Sequence, residues 1–206
     1  MVLTIDDDSQ TLLELLWIRE AWRLWPEGDD LPPELVDTPP FIDGPKRAAA
    51  PITKWRDAWP RIWTACLQHS GTSPKPVVLE RLHASAVGRE ERSRLLRELV
   101  GPSWRDEFGP DAMTVEAEQW MHMLFQQRVD RARQPMNEQP EHAALDALIA
   151  AWRSGLKKIV QIPCRGTYTR VIGTHALLLT AETRADPGRY RIALTEFRTR
   201  PCRTSC

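Results

Sequence analysis

No run of 18 apolar residues occurs in this chain of 206, which excludes a transmembrane helix. Four cysteines are too few for a disulfide scaffold. Residues 1–10 hold Asp6, Asp7 and Asp8 and no Lys or Arg, the wrong charge for a secretory signal. These absences predict a cytoplasmic protein with reduced thiols and no membrane partner. Motifs that carry chemistry are missing too. There is no GxxxxGK followed by Ser or Thr, no GxGxxG, no GxSxG and no HExxH. Each absence closes one specific route to an enzyme, and no cofactor is implied. Tyr (two) and Lys (five) are scarce beside nine Trp and 23 Arg. The Arg excess fits a bacterial high-GC genome. The Trp excess has a physical consequence, because each buried indole removes about 200 Å² from water.

Charge divides the chain. Residues 151–206 carry 11 basic and three acidic groups, or +8, and residues 1–150 carry −8. All nine Trp lie at or before Trp152. Composition and charge therefore change together, predicting an acidic helical body over 1–155 and a basic, β-containing segment over 156–206 with a flexible tail. The fold class expected is α+β: a mainly helical body with a Trp-rich core, a small C-terminal antiparallel β segment and a terminal helix.

Thr11 and Glu14 have capping-box spacing ahead of a run apolar on most of its circumference, so the first helix is expected to be buried on several sides and to end at Pro26. Residues 26–51 hold seven Pro and six acids and read as an extended strap. Trp55, Trp59, Ile62, Trp63 and Cys66 form one helical face over 53–69, with Gly71 as C-cap. Further helices are expected over 76–87, 89–100 and 114–133, and another after Pro140 through Trp152. Strands are expected at 158–162, 168–172 and 175–180. Residues 187–198 fit a helix with Asp186 as N-cap or, less well, a strand.

Three functional classes fit these features. The first is a non-enzymatic interaction protein (an adaptor, a regulator or an immunity-type partner), supported by the acidic strap and the charge polarity. The second is a nucleic-acid-associated protein in which Lys157, Lys158, Arg165, Arg170, Arg189 and Arg191 bind phosphate. Against it, a +8 segment on a −8 body neutralises itself, and Tyr168 is the single aromatic among the expected strands. The third is an enzyme built on Glu80, His83, Glu118 and His122, should their helices face each other. No metal is expected. The alternative is zinc on Cys164, His175, Cys202 and Cys206, whose Cys-x3-Cys spacing departs from the usual two-residue knuckle.

Overall fold

In the computed structural model, which describes residues 1–72, 76–83, 88–133 and 135–199, the chain enters through a short strand, β1 (Thr4–Asp6), and turns at once into α1 (Gln10–Ala21). A long strap follows, interrupted by α2 (Gly44–Ala49). The helical body continues with α3 (Ile52–Ser70), α4 (Pro76–His83), α5 (Arg89–Val100), α6 (Arg105–Phe108) and α7 (Val115–Ala132). A 3₁₀ turn (Met136–Glu138), α8 (Pro140–Ala143) and α9 (Leu145–Arg153) lead to β2 (Lys158–Ile162), β3 (Thr169–Ile172) and β4 (Ala176–Thr180). Two helices, α10 (Ala181–Ala185) and α11 (Pro187–Thr199), complete the described chain. The architecture is α+β, and no described helix is long and apolar enough to cross a membrane.

The strands form one mixed sheet in the order β1-β2-β4-β3. The expected antiparallel segment is corrected here: β1 pairs parallel to β2, β2 parallel to β4, and only β3–β4 is antiparallel. The reason is the connection 163–168, long enough to carry β3 past the neighbouring position, so that β4 returns between β2 and β3. The two compositional segments thus share one sheet, because its edge strand comes from residues 4–6.

Strand alternation splits the core in two. Val160, Ile162, Ala176 and Leu178 face α1 and the Trp-rich helices, whereas Ile159, Leu177 and Leu179 face α9 and α11. Burial on both faces is what a parallel pairing requires, and it explains why β4 reads as a continuous apolar run. On the first face α1 is buried all round, Glu14, Arg19 and Glu20 included. Glu14 does not close a capping box. It takes Gln10 and Arg105 as partners instead. Indoles fill the space around α1: Trp59 stacks on Trp63 at 5.3 Å and 7°, and Trp22 meets Trp55 edge-on at 4.9 Å.

Several boundaries moved. α1 stops at Ala21, five residues before the expected Pro26, and Arg23 and Trp25 take positive φ values of 46° and 45°. Gly71 does follow α3, but at φ −74°, without the left-handed turn expected of a C-cap glycine. A Cβ there would lie 2.4 Å from Ile172 Cγ2, so close approach to the sheet is what asks for glycine. The helix expected from Pro140 to Trp152 is broken at Ala144 into α8 and α9. Residues 84–87, the end of the expected 76–87 helix, lie outside the described residues, as does the tail from residue 200. The 187–198 segment is the helix α11, with Asp186 Oδ1 accepting from the Arg189 amide.

Candidate functional site

The six basic residues expected to bind phosphate do not form one patch. Lys158 pairs with Asp6 of β1 at 2.7 Å, and the Lys157 ammonium lies 5.1 Å from the centre of the Trp152 ring. Both sit at the start of β2. Arg165 lies past the opposite end of that strand, where its guanidinium donates to the carbonyls of Leu35 and Val36 and to Thr38. Arg170 pairs with Asp30 at 3.1 Å. Arg191, on α11, donates to the Ala143 carbonyl and pairs with Asp146. Lys157, Arg165 and Arg189 have no ion pair among the described residues, and of the six the Arg189 side chain alone has no hydrogen bond or ring contact there either.

The cysteine and histidine placements bear on zinc. Cys202 and Cys206 lie outside the described residues. Cys164 is buried two residues beyond the end of β2, and His175 sits at the start of the parallel neighbour β4, with Nδ1 3.1 Å from the Gly155 carbonyl oxygen. Their registers place them at opposite ends of the strands, about 20 Å apart at roughly 3.3 Å per residue. One ion does not reach both. Glu80 and His83 are on α4, which packs on α5, and Glu118 and His122 are on α7, which packs on α1. His122 meets Gln126 of its own helix. No group of three or more His, Cys, Asp or Glu able to hold a metal occurs among the described residues.

Burial pushes the Cys66 and Cys164 thiols up to about 12 from an ordinary 9.0, and the Tyr168 phenol up to about 12 from 10.0. Burial and then Glu141 raise the Tyr190 phenol as well. A group whose folded pKa is raised contributes stability that is complete below its unfolded pKa and lost above it. The urea midpoint, followed by Trp fluorescence, is therefore expected to be flat just below pH 9 and to fall between pH 9 and 12. A buried thiol contributes up to about 1.4 kcal/mol per pH unit to that fall. A flat profile through this window contradicts the burial of these groups.

What the basic segment does hold is the strap. Arg165 donates to strap carbonyls, the Tyr168 hydroxyl donates to the Asp30 carbonyl at 2.9 Å, and Leu35 bridges Cys164. From beneath, buried Arg19 donates to the carbonyls of Pro32 (2.5 Å) and Pro33 (2.6 Å), and Glu20 accepts the Leu35 amide at 2.5 Å. Prolines supply no N–H, so their free carbonyls suit a fork-shaped donor. The strap's outer face is acidic. Glu27, Asp29, Glu34, Asp37 and Asp43 are exposed and have no ion pair among the described residues. Beside them Trp25 is 57% exposed in a left-handed conformation. Sequence reasoning found the strap but missed the Arg19–Glu20 clamp. Its one signal was two adjacent charges inside an otherwise apolar helix.

No protein-family model, curated protein or solved structure matches the chain.

Proposed function

We propose that this is a non-enzymatic interaction protein whose acidic strap is the recognition element for a basic segment of a protein partner. The observation that carries the proposal is the contrast between the strap's two faces. Its inner main chain is pinned by Arg19, Glu20, Arg165 and Tyr168, while five carboxylates and one strained indole face outward. A loop held in place before binding loses little freedom on association. Unpaired carboxylates steer a cationic partner, and an exposed Trp supplies the apolar anchor typical of interface hot spots. Left-handed φ at a bulky residue costs about 1–3 kcal/mol, which local packing does not recover at so exposed a side chain. The nucleic-acid alternative has less support, because Arg170 is paired with Asp30 and Arg165 is taken by strap carbonyls beside Glu34 and Asp37, which would repel phosphate.

A photo-crosslinking residue at position 25, introduced in the native cell, is expected to give a discrete adduct at a Lys/Arg-rich peptide. The same residue at position 192 on α11 is expected to give none. Changing Glu27, Asp29 and Asp37 together to Lys should remove the adduct without altering thermal unfolding. Trp25→Ala should weaken the purified complex about tenfold or more. An adduct that survives charge reversal, or none at position 25, overturns the proposal. Salt-sensitive retention of DNA lost on Arg189→Glu would favour the alternative.

A further inference from the structure

Two adjoining cavities lie at the carboxyl ends of β1 and β2, on the edge of the sheet where α/β proteins place their ligands. The larger, about 720 Å³, opens on the α9/α11 face beneath the end of α7, the 3₁₀ turn and α10. The smaller, about 130 Å³, continues towards Leu13 of α1, Leu124 of α7, and Val36 and Asp37 of the strap. Asp7, Arg131, Gln161 and Ala181 line both.

Gln161 is the informative residue. It is 7% exposed, and its Oε1 accepts from Arg184 Nη1 at 2.9 Å. A guanidinium only donates, so that contact identifies the oxygen and leaves the amide nitrogen as the other arm. No acceptor for this nitrogen exists among the described residues. Arg184 is itself immobilised by two 2.8 Å bonds to Glu141, which also accepts from the Tyr190 hydroxyl. A buried carboxamide is thus fixed in one orientation with its donors open to a cavity. The nitrogen is reached from the cavity, so whatever fills the cavity, water or a ligand, takes these donors.

Beside it, Arg131 Nη2 lies 3.4 Å from Asp7 Oδ2, long for a charged pair. A guanidinium, a carboxamide N–H pair and a carboxylate therefore converge with their capacity unspent. Ile5, Val129, Ala132 and Pro140 give the larger cavity an apolar stretch, beside the polar Arg128, Glu138 and Gln139. We propose that this cleft binds a free α-amino acid with an apolar side chain. Its carboxylate bridges the Gln161 amide and the Arg131 guanidinium, its ammonium replaces Arg131 at Asp7, and its side chain lies along Ile5 and Val129. The exchange leaves net charge unchanged and converts one long ion pair into two direct ones. Of the lining guanidiniums Arg128 is already paired with Asp8 and Arg184 with Glu141, so beside Asp7, Asp37 and Glu138 a multiply charged anion such as phosphate is left with Arg131 alone and is disfavoured.

Calorimetric titration of the full chain with millimolar L-leucine and L-phenylalanine tests this, with leucinamide, 4-methylpentanoate and inorganic phosphate as comparators. At least one of the two amino acids is expected to bind. Leucinamide, without the carboxylate, and 4-methylpentanoate, without the ammonium, should bind about tenfold more weakly or not at all, and phosphate should give no heat. Arg131→Gln, at the open rim, should fold as the parent and lose about tenfold in affinity. Gln161→Leu should abolish binding. If that variant does not fold, Arg131→Gln carries the test. The proposal is overturned if neither amino acid binds, if leucinamide or 4-methylpentanoate binds equally well, if phosphate competes, or if Arg131→Gln leaves the affinity unchanged.

Discussion

Arg19→Ala is expected to lose about 3–5 kcal/mol, because it strips the partner from a buried carboxylate. Arg19 and Glu20 are both nearly inaccessible, and their charges meet at 2.9 Å. Without the guanidinium, Glu20 keeps only the Leu35 amide, and the Pro32 and Pro33 carbonyls lose their donor. Domains of this size hold about 5–15 kcal/mol in total, so much of the margin disappears. Lys at this position should rescue little, since an ammonium does not reproduce the planar fork that serves three acceptors at once. Removing both charges, in Arg19→Met with Glu20→Met, should cost less than Arg19→Ala alone, because no unpaired ion remains inside. Urea unfolding measures the global loss, and limited proteolysis within 26–43 reports release of the strap. A loss below about 1 kcal/mol, the scale of a surface pair, would mean that the strap is held by its other contacts.

Trp59→Ala should cost a similar amount, about 3–5 kcal/mol, by a different route. The indole is fully buried, lies flat on Trp63, and donates from Nε1 to the Leu15 carbonyl at 2.8 Å. Alanine removes the ring from both α1 and Trp63 and leaves a cavity that two rigid helices close poorly. Trp59→Phe keeps an aromatic ring in place and should lose about 1–2 kcal/mol, because the Leu15 carbonyl retains its bond within α1. Trp25→Ala provides the contrast, since the same residue type on the surface should move stability by about 0.5 kcal/mol or less. Equal losses at 25 and 59 in urea titrations would contradict the packing described above.

What could be read from the residues followed from local patterning. The Trp55–Cys66 stripe marks α3 because its spacing repeats the helical period over three turns, and tertiary contacts only confirm the buried side. β2 and β4 were visible as short apolar runs. Their direction was not, since pairing is set by where 163–168 crosses, and nothing in those six residues encodes it. β1 was missed for the same reason. Three residues, Thr4–Asp6, have no period of their own and become a strand only through Lys158–Val160. The basic segment was found by counting charge, but counting does not say what each charge faces: Arg165 and Arg170 face the strap, Lys158 faces Asp6, and Arg184 faces Glu141. The cleft was not foreseen either. Gln161 is an unremarkable polar residue in a strand until α8 and α10 close over it, and only then do its open donors stand out.

The pairing of Thr4–Asp6 with Lys158–Val160 also constrains how the polypeptide is made. On the ribosome, α1, apolar around its whole girth, emerges well before the strands that will cover one of its sides. Until they do, this helix has only its indole neighbours to shield it. Contacts so distant in sequence slow folding and lengthen the interval in which sticky surface is open to other chains. The nascent chain is thus the form most in need of a chaperone, and slower elongation through residues 130–157 would prolong that need.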